Sequence, residues 1–153
     1  MLRMSKLTDY GTVVMTYLAR EPGRLHAASE IATHIHVAVP TVSKILKTLV
    51  REGLVVSHRG VKGGHTLARP AQDISMAEVI DAMEGPIALT ECSSSEGLCL
   101  QETSCSIRGS WQKINVVIRE ALSDVTLAEM VEPTTQHPVL FQPRKSLLRE
   151  STH

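Results

Sequence analysis

The 153-residue sequence has only three cysteines, no net charge and no long apolar run. A small, odd number of cysteines argues against the disulfide framework of a secreted protein. Apolar runs of a few residues are too short to span a bilayer, and the first residues lack the apolar core and cleavage site of a signal peptide. We therefore expect a cytoplasmic protein that has no membrane partner.

The absence of net charge conceals two regions of opposite charge. Residues 24–69 contain seven Lys/Arg and five His against two acidic residues, whereas residues 70–132 contain three basic and eleven acidic residues. Only the first region could approach an anion such as a nucleic-acid backbone. A hydrophobic content of 42% and a charged content of 21% are otherwise those of a globular protein.

Three helices are predicted at the start of the chain. Apolar residues at 3–4 spacing predict a first helix that Glu21-Pro22-Gly23 terminates. A second helix is expected over residues 29–34, with Ser29 near its N-cap. The third begins at Pro40, where the missing N–H costs nothing, and Gly53 ends it.

A β-hairpin is predicted directly after the third helix. Two short β-like runs, 54–57 and 65–68, flank a basic, glycine-rich turn. Helix–turn–helix followed by such a hairpin is typical of a winged helix, whose third helix fits a major groove and whose wing lies along the adjacent backbone or minor groove. We therefore predict a mainly α fold with a small β-hairpin wing, with the DNA-binding domain at residues 1–70.

Residues 71–132 predict a second region that contains a long helix. Capping boxes at Ser75-x-x-Glu78 and Thr126-x-x-Glu129 mark two helix starts, and a long helix is expected from Ile107 to Asp124. An apolar stripe along this helix needs a cover, and a symmetric partner helix is the natural one, so we predict a homodimer. The predicted interface residues are Ile107, Trp111, Ile114, Ile118, Leu122 and Val125. Residues 133–153, with three prolines and no apolar period, are expected to be a disordered arm.

All three cysteines fall within fourteen positions, as Cys92, Cys99 and Cys105 in the pattern C-x6-C-x5-C. Three thiolates can hold an iron–sulfur cluster and leave one iron for a weaker ligand, which suits a sensor. Zinc and a dithiol redox switch remain alternatives, although zinc sites usually contain a C-x2–4-C knuckle. Cys105 is expected at the start of the long helix, where the helix dipole favours a thiolate.

In this order of elements the chain resembles the iron–sulfur bacterial regulators typified by IscR, NsrR and RirA. The matching stretches are KLTDYGTVVMTYLA, TVSKILKTLVREGLV, RGVKGGHTLAR, DISMAEVIDAMEG and the cysteine region running into SIRGSW. The resemblance covers residues 1 to about 132 and is strongest to regulators of Suf cluster-assembly operons. It implies a repressor of such genes, with operator affinity controlled by a 2Fe–2S or 4Fe–4S cluster on the three cysteines.

The resemblance also implies the residues that contact double-stranded operator DNA. Recognition maps onto Thr41, Ser43 and Lys44 of the third helix and onto Arg59, which suits a narrow minor groove. Some relatives carry Glu in place of Ser43, and Lys44 and Lys47 are better suited to phosphate contacts. The full predicted set is Ser29, Pro40, Thr41, Ser43, Lys44, Lys47, Arg59, Lys62, Gly63, Gly64 and His65.

The fourth cluster ligand differs between branches of these regulators. IscR-type proteins place a histidine three residues after the last cysteine, where this chain has Arg108, and a guanidinium offers no lone pair to iron. NsrR-type proteins recruit an aspartate of the partner's first helix, which in the motif KLTDYG is Asp9. Water and the carboxylates of Glu91, Glu96 and Glu102 are the other candidates.

Two other classes of function compete with a DNA-binding regulator. An enzyme with a three-cysteine radical cluster needs tighter cysteine spacing and a large barrel, which this chain cannot build, so no enzyme and no small-molecule substrate are expected. The second rival is a winged helix that uses its wing for protein contacts only. Within the regulators, the alternative to a cluster is sensing of nitric oxide, iron or redox state through a zinc site or a thiol switch.

Overall fold

The computed structural model of the protein describes residues 4–90, 93 and 105–132. The arm predicted for residues 133–153, Cys92 and Cys99, and the loop acids Glu91, Glu96 and Glu102 lie outside these residues. The described elements are α1 (Lys6–Ala19), α2 (Ala28–Ile35), α3 (Val39–Arg51), β1 (Val55–His58), β2 (Gly64–Leu67), a 3₁₀ turn (Ala71–Asp73), α4 (Met76–Glu84), α5 (Arg108–Ser123) and α6 (Leu127–Val131).

The two helices of the helix–turn–helix begin earlier than predicted. Ala27 caps α2 without a side-chain hydrogen bond, so Ser29 lies in the first turn rather than at the cap. Ala38 is the N-cap of α3 and Pro40 is its second residue rather than its first. Proline is tolerated at both positions because the first N–H groups of a helix have no intrahelical acceptor.

A two-stranded antiparallel hairpin follows α3, and the predicted fold class is therefore confirmed. Its register pairs Val55 with Leu67 and His58 with Gly64. Gly53 ends α3 with φ +75, a conformation that favours glycine. The backbone N–H of Leu54 then donates to the carbonyl of Leu49 at 2.9 Å, which turns the chain into β1.

The hydrophobic core is assembled from helices at both ends of the described chain. Fully buried side chains of α1, α2 and α3 pack with Ile74 and Val79 and with Leu127 of α6. The segments before α4 and before α6 pair as a short antiparallel bridge. Met76 N–H donates to the Val125 carbonyl at 2.9 Å, and Leu127 N–H donates to the Ile74 carbonyl at 2.8 Å.

Both predicted capping boxes are present. Ser75 accepts a hydrogen bond from the Glu78 backbone N–H, and the Glu78 carboxylate accepts one from the Ser75 backbone. Thr126 and Glu129 repeat the arrangement at the start of α6. Between these helices, α5 packs on α4 and leaves most of its surface exposed. None of the described helices combines the length and hydropathy that crossing a bilayer requires.

Candidate nucleic-acid interface and cysteine site

Helix α3 separates an apolar face from a polar one. Val42, Ile45, Leu46 and Leu49 are buried, as the 3–4 spacing predicts. On the other side Lys44 and Lys47 are exposed and Thr41 and Ser43 are half-buried. Ser29 of α2 and Pro40 of α3 are exposed as well. The structure thus presents the predicted α3 side chains on the surface of a helix whose opposite face is fixed in the core.

The cations of residues 24–69, all of which are described, fall into two groups. Three arginines pair with carboxylates: Arg24 with Glu21 and Glu30, Arg51 with Glu52, and Arg69 with Glu78. The other four are exposed and have no carboxylate partner in the described part of the chain. These four are Lys44, Lys47, Arg59 and Lys62, the same cations that were predicted to contact DNA.

The tip of the wing is a tight turn built on glycines. Gly60 has φ +110, and the Gly63 N–H donates to the Gly60 carbonyl at 2.9 Å. A Cβ on Gly63 would lie 2.3 Å from the His58 carbonyl oxygen, so only glycine fits there. The turn leaves Arg59 and Lys62 exposed on either side of Val61, which is also fully exposed.

The base of the wing is joined to the segment that precedes α2. His26 and His65 exchange both backbone hydrogen bonds, at 3.0 and 2.9 Å. A Cβ on Gly64 would lie 2.9 Å from the His26 carbonyl oxygen, so this close approach requires glycine. Gly64 is buried and His65 half-buried, and burial lowers the pKa of His65 from its usual 6.5.

The side chain of His26 belongs to a polar network that the sequence did not predict. The imidazole of His26 is buried, and its Nδ1 lies 3.2 Å from Glu30 Oε1. The same oxygen accepts hydrogen bonds from the Tyr17 hydroxyl at 3.2 Å and from Arg24 at 2.7 Å. Partial burial opposes ionisation of Glu30, but the hydrogen bonds from His26 and Tyr17 and the charge of Arg24 lower the pKa of its carboxyl. The network links α1 and α2 to the base of the wing.

Of the three predicted cluster cysteines, Cys105 alone is among the described residues. It is half-buried and lies three positions before the first residue of α5, which begins at Arg108, one residue after the predicted start at Ile107. Its carbonyl accepts the Arg108 N–H at 3.4 Å. In the described part of the chain no three His, Cys, Asp or Glu residues converge as a metal site.

Asp9, the predicted fourth ligand, lies on the exposed face of α1. Its side chain borders an open pocket that Met4, Ser5, Lys6 and Glu84 also line. The carboxylate of Glu84 is already hydrogen-bonded within the chain, because it accepts the Ser5 N–H at 2.7 Å and the Thr8 hydroxyl at 2.5 Å. Asp9 forms no ion pair with the described residues, which leaves its carboxylate accessible.

The apolar stripe of α5 is mostly uncovered in the single chain. Ile107, Trp111, Ile114 and Val125 are 55%, 38%, 43% and 37% exposed. Ile118 and Leu122 are half-buried, because they line a groove against the end of α4. The stripe predicted from spacing is thus apolar and exposed along most of its length.

One side of α5 carries a polar contact that the sequence analysis missed. Asn115 is the single residue of α5 classed as buried, and Arg119 forms a two-armed ion pair with Asp81 of α4 at 2.6 and 3.2 Å. The available signal was an asparagine, a poor helix former, beside the apolar stripe. Its partners lie 26 and 28 residues away, beyond the reach of any local pattern.

Comparisons with known proteins agree with this arrangement. Residues 4–133 match the model of the Rrf2 family, described as iron-dependent transcriptional regulators. A protein named aau3 from Rhizobium meliloti strain 1021 is 32% identical over 136 residues, which cover 88% of each chain. The structure of CymR, the global cysteine regulator of B. subtilis, is 27% identical with a TM-score of 0.71 and covers 86% of this chain and 97% of its own. That of T. potens IscR is 28% identical with a TM-score of 0.65, covering 85% and 86%.

Proposed function

Since the chain belongs to the Rrf2 family of DNA-binding transcriptional regulators, which are not enzymes, we propose that it acts as a homodimeric repressor of iron–sulfur cluster assembly genes. Its affinity for operator DNA is controlled by a cluster bound through Cys92, Cys99 and Cys105. Loss of the cluster then reports a shortage of iron or oxidative damage in the cytoplasm.

The DNA-binding part is supported by the set of four exposed cations that pair with no carboxylate in the described ranges of the chain. Lys44 and Lys47 project from α3, and Arg59 and Lys62 flank the tip of the wing. Arg24, Arg51 and Arg69 of the same region are instead each paired with a carboxylate. Such a set can neutralise phosphates at the major groove and at the adjacent backbone or minor groove. Thr41 and Ser43 precede the lysines on the same helix and are proposed to reach base edges.

Support for the cluster comes from the chemistry of the donors. Three cysteines fit the thiolate ligation of iron, and Cys105 is half-buried beside α5, where a bound group would be partly shielded from water. A bound 2Fe–2S or 4Fe–4S cluster would supply a group that oxidants can destroy. We assign the fourth position to Asp9 of the partner subunit, because its carboxylate is exposed and unpaired among the described residues. A ligand donated across the dimer couples the cysteine site to the spacing of the two α3 helices.

The nature of the site is tested on protein purified without oxygen. We expect brown protein with iron and sulfide in similar amounts, and loss of the colour in Cys92→Ala, Cys99→Ala and Cys105→Ala. Asp9→Ala is expected to keep the dimer but to lose absorbance faster in air. Colourless protein with one zinc per chain, or with a reversible disulfide and no metal, would replace the cluster by one of the other two thiol chemistries.

Binding to the promoter of the genome's own cluster assembly operon tests the regulatory role. We expect specific binding whose affinity falls steeply between 50 and 200 mM salt, because neutralised phosphates release counterions (about 10³–10⁵-fold for six to ten contacts). Comparing cluster-loaded and cluster-free protein identifies the binding form. Equal affinity of the two forms would refute control by the cluster.

A further inference from the structure

A short stretch of chain before the cysteine region, residues 87–89, is held by side chains from two helices. The backbone N–H of Leu89 donates to Asn115 Oδ1 at 3.0 Å, and Asn115 Nδ2 donates to the Ile87 carbonyl at 3.0 Å. In addition, Asp81 Oδ1 accepts the Ile87 N–H at 3.0 Å. Three backbone groups of residues 87–89 are thus paired with the side chains of Asn115 and Asp81.

Without these hydrogen bonds, an asparagine at position 115 would destabilise the folded chain. Asparagine is a poor helix former, and a buried amide costs free energy unless its donor and acceptor are both paired. Asn115 is 8% exposed on a helix that otherwise buries little. The neighbouring positions Ile114 and Ile118 carry apolar side chains, so an aliphatic residue would be the default for packing alone. The asparagine fixes a defined register between α5 and residues 87–89.

The position of this contact gives it a consequence for the cysteines. Leu89 precedes Cys92 by three residues in the sequence, and Cys105 precedes the first residue of α5 by three. The stretch from Cys92 to Cys105 is therefore attached to α5 near both of its ends, covalently at one and through Asn115 at the other. Asp81 adds a link to α4 because it also pairs with Arg119 of α5.

We propose that Asn115 is a positioning residue, which fixes the chain entering the cysteine region to the exposed helix α5, while Asp81 fixes the same stretch to α4. A rearrangement at the cysteines is then transmitted to α5 rather than absorbed by a loose loop. The effect of this contact on the cluster rests on the function proposed above, whereas the positioning of residues 87–89 by Asn115 does not.

The test replaces Asn115 by leucine, which is similar in volume and makes neither hydrogen bond. Gln112→Leu, at an exposed position of the same helix, is the matched control. We expect amide hydrogen exchange at Leu89 to accelerate more than tenfold in Asn115→Leu and to stay unchanged in the control. In metal-free protein, alkylation of Cys92 should accelerate while alkylation of Cys105 does not. Asn115→Ser, which keeps a polar side chain, is expected to give both changes.

The second readout uses the loaded protein. Absorbance of the cluster should decay several-fold faster in air for Asn115→Leu than for the parent or for Gln112→Leu. Exchange at Leu89 as slow in both Asn115 variants as in the parent would overturn the proposal. If the protein binds no cluster at all, the proposed function is wrong. The exchange and alkylation results still decide the role of Asn115 in that case.

Discussion

Arg59 is the side chain of the wing that is predicted to contact operator DNA. It is exposed at the wing tip and pairs with no carboxylate among the described residues, whereas Arg51, at the end of α3, pairs with Glu52 at 2.8 Å. Arg59→Ala should weaken operator binding by about 1–3 kcal/mol, and Arg51→Ala should change it little, because its charge is already neutralised. Fluorescence anisotropy with labelled operator measures both. Equal losses in the two variants would show that general positive charge, not the wing contact, is what matters.

His65 is expected to make the stability of the fold decrease in mild acid. Burial lowers its pKa in the folded protein, so below its usual 6.5 the unfolded chain takes up the proton first. Stability is then complete above pH 6.5 and decreases as the pH falls towards the folded value. The difference in melting temperature between pH 7 and pH 5 should be smaller in His65→Gln than in the parent. His58→Gln, an exposed position of the same hairpin, should leave that difference as it is in the parent.

Single residues were predicted well where their role is local. The apolar face of α3 follows from spacing within a dozen residues. Asn115, Asp81 and the bonds around Glu30 depend on chain segments brought together only by folding. Gly64 was assigned to DNA, but the structure adds a packing reason for it, the close passage of His26.

Among the elements, α5 makes the most specific prediction about assembly. Ile114 belongs to the exposed stripe, while Val116, also exposed, lies about 200° further round the helix. Ile114→Asp should raise the dimer dissociation constant at least about tenfold, because a charge buried in an apolar interface is costly. Val116→Asp should leave the constant unchanged. Sedimentation equilibrium reports both, and a dimer that tolerates Ile114→Asp would place its interface elsewhere.

The boundaries of the elements show which local signals are sufficient. Ser75 and Thr126 form capping boxes, and the helices they start begin where the sequence predicts. Helices α2 and α3 start after Ala27 and Ala38, which offer no side-chain cap. For both helices the predicted first residue was wrong by one position. Without a capping side chain, tertiary packing decides where the first turn forms.

At the scale of the whole molecule, the last described helix stabilises the first. Leu127 of α6 is fully buried in the core and α6 packs on α1, whereas Met130 of the same helix is 45% exposed. Leu127→Ala should lower the free energy of unfolding by about 2–5 kcal/mol, and Met130→Ala by less than about 0.5 kcal/mol. Urea denaturation followed by circular dichroism measures the two. A similar small loss in both would mean that α6 is peripheral to the core.

This long-range packing was outside the reach of sequence patterns. Charge segregation predicts a boundary near residue 70, and this division stays a prediction, because Ile74, Val79 and Leu127 share one core with α1–α3. Nothing in the spacing around Thr126 indicates that the chain comes back to α1 there. The return is encoded in the burial of Ile74, Val79 and Leu127 together, which only the folded chain reveals.

The bridge between residues 75 and 126 has an evolutionary consequence. Because Ser75 and Thr126 lie side by side, residues 76–125 leave and re-enter the molecule at one point, and α1–α3 and the hairpin lie outside that segment. A segment with adjacent ends can change in length with little displacement of the elements on either side of it. We therefore expect that replacing it by that of another family member, with the α4 side chains of the core kept, gives a regulator with the same operator and a different stimulus.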